Sequence, residues 1–138
     1  MECMETKGCI KSNLDIVQEY FTAELLNNIG NVDIIRAFRV TNPKDYLSEK
    51  DYNIWKTLPE YVEVYRGCEK EELEELGVPL GISYTLSPKM AEWFANRCEN
   101  GCVVKMVISK EYIRCYYNGR KEEEVIILGC PLEEVSFI

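Results

Sequence analysis

The apolar positions of the chain change period at Pro59, recurring at helical spacing before it and mostly at alternate positions after it. Leu14, Val17, Phe21 and Leu25 fall three or four apart, which predicts an amphipathic helix capped by Ser12 and stopped by Gly30, with Asp15 completing a shortened capping box. Residues 32–40 are ambiguous between helix and strand; Ile34, Ile35 and Phe38 suggest a second short helix, ended by Asn42-Pro43. A third helix is predicted over 48–58, with Ser48 as cap and Asp51 at the third position. Tyr52, Trp55 and Leu58 share one of its faces, and Pro59 closes it.

Beyond Pro59, Val62, Val64 and Arg66 alternate with Glu63 and Tyr65, so 61–67 is a strand. Residues 69–75 carry five glutamates and read as a solvated helical turn or loop rather than a site. Gly77 and Pro79-Leu80-Gly81 mark an irregular connection to a short strand at 82–85. Ser87-Pro88 then opens a helix with Met90, Trp93 and Phe94 facing inward, terminated by Asn100-Gly101. A strand follows at 102–108, with Cys102, Val104, Met106 and Ile108 on one face. After it come a helical turn at 109–112, a strand at 113–117 and a candidate last strand at 135–138. No repeat, low-complexity tract or linker interrupts this order. The expectation is one α+β domain over 1–138, made of a helical segment (1–60) and a mixed, mainly antiparallel β core (61–138).

The most informative stretch is 118–128. Asn118-Gly119 supplies residues tolerant of positive φ for a tight turn, and Val125-Ile126-Ile127-Leu128 has the branched composition of a buried strand. Between them stand Glu122, Glu123 and Glu124. Strand alternation sends Glu122 and Glu124 to one side and Glu123 to the other, which puts two carboxylates in one cleft. The plain alternative is a charged, solvated lead into a strand.

Composition narrows the chemistry. At 138 residues with 46% apolar content the chain suffices for one domain that buries roughly two-thirds of its unfolded surface. No run approaches the roughly 18 apolar residues of a membrane span, and the acidic start Met1-Glu2-Cys3-Met4-Glu5 is unlike a secretory signal, so a cytoplasmic location is expected. Seven cysteines at irregular spacing fit reduced thiols better than a disulfide framework. Cys98 and Cys102 resemble half a zinc site, but no second matching pair follows, and a metal-free protein is expected. Histidine is absent, which removes Ser-His and Cys-His nucleophiles and imidazole bases and leaves catalysis to Glu, Asp, Tyr, Cys, Lys or backbone groups. A formal charge of −8 disfavours direct binding to nucleic acid or to an anionic membrane and is compatible with a basic protein partner.

Taken in order, the β half presents Tyr65-Arg66-Gly67, then Ser83-Tyr84-Thr85, then Trp93-Phe94-Ala95, then Glu122-x-Glu124. Over residues 58–128, about half the chain, this order and spacing resemble the arginine-directed branch of the mono-ADP-ribosyltransferases. That family carries an Arg on a first strand, a Ser-x-Ser/Thr on a second and Glu-x-Glu at the start of a later one. The resemblance implies NAD as co-substrate, no metal, and transfer of ADP-ribose to an arginine of a target protein with release of nicotinamide. Arg66, flanked by Tyr65 and Gly67, then binds the diphosphate or adjacent ribose. Ser83 holds the catalytic carboxylate, and Thr85 supports the neighbouring wall. Glu124 meets the oxocarbenium-like cation, and Glu122 orients and deprotonates the acceptor guanidinium. Tyr117, Asn118 and Gly119 fall at the family's substrate-recognition loop. Tyr84, Trp93 or Phe94 are candidates for the nicotinamide wall, with core packing as the alternative. Ser87 offers a competing register for the middle motif. Two other readings stay open: NAD hydrolysis alone, and an inactive acidic binding or inhibitor protein on the same scaffold. The net charge suggests a basic, nucleic-acid-binding target.

Overall fold

The structure, a computed structural model, describes residues 12–22, 31–72, 82–131 and 134–137. Leu25, Gly30, Gly77, Pro79-Leu80-Gly81 and Ile138, all used in the sequence reading, lie outside the described residues, as do Cys3 and Cys9. The chain forms two compact units, Met1–Tyr46 and Leu47–Ile138.

In the first unit, helix α1 (Asn13–Thr22) begins as its sequence dictates. Ser12 Oγ accepts from Asp15 N at 3.1 Å and Asp15 Oδ2 accepts from Ser12 N at 3.4 Å, the reciprocal bonds of a capping box. The ambiguous stretch that follows is helix α2 (Asn31–Val40). Ile34, Ala37 and Phe38, spaced three and four apart, are its buried residues, so the 3.6-residue period decides its type. Tyr20, Phe21, Phe38 and Tyr46 meet with ring centroids 5.2 to 6.1 Å apart. Asn42 then caps a 3-10 turn (Pro43–Asp45) by accepting from Lys44 N.

The second unit opens with helix α3 (Glu49–Lys56), whose cap Ser48 accepts from Asp51 N at 3.1 Å. Six strands follow: β1 (Tyr61–Glu69), β2 (Ser83–Thr85), β3 (Gly101–Ser109), β4 (Ile113–Tyr117), β5 (Glu124–Ile127) and β6 (Ser136–Phe137). Helix α4 (Pro88–Asn96) lies between β2 and β3 in sequence. The strands pair antiparallel in the order β4-β5-β2-β1-β3-β6, and the chain is α+β. Among the described residues no helix is long and apolar enough to cross a membrane.

Alternation sorts the sheet into two faces. Val62, Val64, Val104, Met106, Ile108, Val125 and Ile127 form the core on one face, and Ile54 and Trp55 of α3 pack against it. Trp55 Nε1 also donates to the carbonyl of Ile113 at 2.8 Å, which ties α3 to β4. The sequence reading places the change from helical segment to β core after residue 60. The compact units divide at Tyr46/Leu47 instead, because α3 makes these contacts with the sheet.

Helix α4 covers the opposite face, and two glycines set its distance. A Cβ on Gly67 would stand 2.0 Å from the carbonyl oxygen of Ala91, and one on Gly101 would stand 1.9 Å from that of Ala95. At such close approach only small residues fit beneath the helix. Ala91 and Ala95 are therefore its buried positions, and Trp93, expected to face inward, is 48% exposed. Replacing Gly101 by Ala is expected to destabilise the protein by about 1–3 kcal/mol, the scale of overpacking. Chemical denaturation of the variant checks this, and an unchanged midpoint would mean that α4 is not seated on Gly101.

Candidate active site

Strand β2 is three residues long and lies between β1 and β5. The register runs Tyr65, Thr85, Glu124 and Tyr117 across four strands as one row of direct neighbours. Ser83, two residues before Thr85, shares the face of Thr85 and Glu124, which is the face that α4 covers. β1 and β2 pair at Tyr65↔Thr85 alone. Next to that pair, Arg66 Nη1 donates to the Ser83 carbonyl at 2.9 Å, so a side chain supplies a bond to β2 where the backbone ladder has ended. The other donors of the same guanidinium, Nε and Nη2, each meet a Glu72 oxygen at 3.0 Å. Its carbon stands 5.8 Å from the centre of the Tyr84 ring.

A cleft of about 120 Å³ opens here, lined by Tyr65, Arg66, Gly67, Ser83, Tyr84, Thr85, Phe94, Glu122 and Glu124. Apart from Trp93, which lies outside it, every residue to which the resemblance gives a catalytic or cofactor-holding role lines this cleft. Tyr117 and Asn118, assigned to substrate recognition, are not among the lining residues and form the base of the adjoining loop.

Glu124 is 4% exposed, and both of its oxygens are engaged. Ser83 Oγ donates to Oε2 at 2.5 Å, and Arg120 Nη2 donates to Oε1 at 2.8 Å. Thr85 acts on the backbone. Its hydroxyl donates to the Glu122 carbonyl at 2.6 Å and accepts from Ser87 N at 3.0 Å, while Leu86 N donates to the Glu123 carbonyl at 3.0 Å. These bonds fasten the run before β5 to the turn after β2. Ser87 caps α4 by accepting from Met90 N. Burial pushes the Glu122 carboxyl above the usual carboxylate range, and the charge of Glu124 adds to this. Arg120 and Arg97 pull the other way without cancelling it.

The loop before β5 differs from its sequence reading in one respect. Positive φ falls at Lys121 (60°) and Glu123 (46°), not at Asn118-Gly119. Asn118 contributes through hydrogen bonds instead. Its side-chain oxygen accepts from Glu123 N at 2.9 Å, its carbonyl accepts from Lys121 N at 3.0 Å, and its own N–H donates to the buried carboxylate of Asp51 at 2.9 Å. Pairing in β5 starts at Glu124, so the pleat does not bring Glu122 and Glu124 to one cleft. The left-handed turn at Glu123 does, at a cost of about 1–3 kcal/mol for such a backbone.

Three residues with a part in the site were missed in the sequence. Arg120 left a weak signal, an opposite charge four positions before Glu124. Glu72 lay in the acidic run read as solvated, and its pairing with Arg66 depends on how the chain turns after β1. Asp51 was read as part of a cap, yet its carboxylate holds the loop across 67 positions. Among the described residues, no group of three or more His, Cys, Asp and Glu side chains converges as a metal site. No protein-family model, curated protein or solved structure matches this chain.

Asp51→Ala is expected to leave the Asn118 N–H without its partner, a loss of about 1–3 kcal/mol. Hydrogen exchange at Asn118 and Glu123 is expected to accelerate more than exchange in β1 and β3. Equal acceleration throughout would show that Asp51 supports the unit as a whole and not the loop.

Proposed function

We propose that this chain is a mono-ADP-ribosyltransferase of the arginine-directed kind, with a β core of the ADP-ribosyltransferase type, and that it moves ADP-ribose from NAD to a protein arginine. The observation that carries the reading is the Ser83–Glu124 hydrogen bond at 2.5 Å, in a cleft that Arg66 and Glu122 also line. Four residues drawn from three adjacent strands and the loop before β5 meet there, in the combination that the sequence resemblance requires.

The chemistry follows from the groups present. The Tyr84 and Phe94 rings are among the walls of the cleft. Arg66, held on a rigid strand, offers a planar guanidinium to an anionic group. Cleavage of the nicotinamide–ribose bond leaves positive charge on the ribose carbon, and a buried carboxylate fixed by a serine stabilises that charge without reorganising. Glu124 fills that role. The acceptor guanidinium must lose a proton to become nucleophilic. Glu122, with its raised pKa, is matched to receive one. A net charge of −8 favours acceptors on basic faces, such as those that bind nucleic acid.

Incubation with NAD labelled on the ADP-ribose, followed by measurement of free nicotinamide and of label on protein, tests the reading. Intact NAD would overturn it, and nicotinamide release with no acceptor labelled would reassign the protein as an NAD hydrolase. Glu124→Gln is expected to lower nicotinamide release roughly 100-fold. Full activity in the folded variant would remove Glu124 from the mechanism.

Glu122→Gln is expected to abolish transfer while leaving slow NAD hydrolysis. In the wild type, transfer should fall on acidification at a pH above the ordinary glutamate range, because a raised pKa means that the base form is lost earlier as pH drops. A transfer profile that is flat down to pH values near the unperturbed glutamate pKa, about 4.3, would show that Glu122 is not the base.

A further inference from the structure

Arg120 is an exposed-loop arginine whose guanidinium nonetheless reaches the buried carboxylate at the centre of the site. Its Nη2 stands 2.8 Å from Glu124 Oε1, and its side chain is 38% exposed against 5% for that of Glu124. It also lies within electrostatic range of Glu122. The Asp51–Asn118 and Asn118–Glu123 bonds brace the loop on either side of it. Other arginines of this unit are held differently. Arg66 is bonded to Glu72 and to the Ser83 carbonyl, and Arg97 lies over the Trp93 ring at 4.6 Å.

A guanidinium hydrogen-bonded to one carboxylate of Glu-x-Glu and within electrostatic range of the other has the chemistry and the surroundings of an acceptor. We propose that Arg120 stands in the acceptor's place and is itself ADP-ribosylated by the chain that carries it. This inference rests on the transferase reading above. In the step, the bond between the ribose carbon and the nicotinamide nitrogen breaks, and its electron pair leaves with neutral nicotinamide. A nitrogen of Arg120 forms the new bond to that carbon, and the guanidinium proton passes to Glu122. No further reactant is needed. Because nucleophile and site belong to one chain, the step is unimolecular once NAD is bound, and proximity favours it over capture of an acceptor from solution.

The test uses the full chain with labelled NAD, with and without agmatine as a small guanidino acceptor, and maps the label by peptide mass spectrometry. The expected result is label on Arg120, formed with a rate constant that does not change over a tenfold range of protein concentration. Self-labelling should fall at least tenfold in Arg120→Lys, which keeps the positive charge beside Glu124 but removes the guanidino nucleophile. Mapping on the wild-type chain stands even if that variant folds poorly. Agmatine labelled while Arg120 stays unmodified would overturn the inference and leave the transferase reading standing. Self-label at another arginine, or a rate that rises with protein concentration, would overturn it as well. If NAD remains intact and neither agmatine nor the chain is labelled, the transferase reading fails and takes this inference with it.

Discussion

A carboxylate with 4% exposure is tolerated only where charge-assisted hydrogen bonds replace the water it has lost, and Glu124 is held by two. Ser83 supplies one from the neighbouring strand and Arg120 supplies the other from the preceding loop. The first depends on the register that sets Thr85 opposite Glu124, because a slip of one residue on β2 would turn Ser83 to the core face and leave the carboxylate's Oε2 unsatisfied. The row from Tyr65 to Tyr117 is thus fixed by hydrophobic alternation on one face and by this polar contact on the other. Removing the Ser83 hydroxyl would leave a buried acceptor without its donor, which is why the same bond serves both the fold and the proposed chemistry.

The cleft exists because the sheet is interrupted at its centre. β1 and β3 pair along the whole of Tyr61–Glu69, while β1 and β2 share a single pair of partners. Arg66 bridges the gap with its side chain, so the guanidinium is positioned by the β2 carbonyl it serves. On the face that carries Ser83 and Glu124, α4 is drawn close by Gly67 and Gly101, which brings Phe94 to the cleft wall and leaves Trp93 outside. Glycine here acts through the close backbone approach it permits, since neither Gly67 nor Gly101 adopts positive φ.

What the sequence discloses divides by range. Caps at Ser12, Ser48 and Ser87, the period change at Pro59, and the alternation along β1 and β3 are all local, and each is read correctly from neighbouring residues. The inward face of α4 is misread because amphipathic spacing favours large apolar residues, whereas contact distance, set by glycines on two other strands, favours alanine. Glu72 is misread for a similar reason: in a run of like charges nothing local singles out the residue that the fold returns to Arg66. The placement of Glu122 beside Glu124 is foreseen, but by the wrong cause. Period two and a left-handed residue at Glu123 give the same pairing, and only the backbone tells them apart.

Both charges on which the proposed chemistry turns are already neutralised within the chain. Arg66 has a two-point partner in Glu72, and Glu124 has one in Arg120. A ligand phosphate must therefore displace a carboxylate, and an acceptor guanidinium must displace an arginine, so each incoming contact replaces one of the same kind. The net gain from each exchange is small, because the desolvation of Arg66 and Glu124 has already been met in folding. Affinity would then come mainly from the apolar walls of Tyr84 and Phe94. The ion pairs would instead set selectivity: a neutral group entering the cleft would strand a half-buried charge, while a phosphate or a guanidinium would not. The internal partners keep the geometry of the two charges fixed before any ligand arrives, which is the preorganisation that electrostatic catalysis requires.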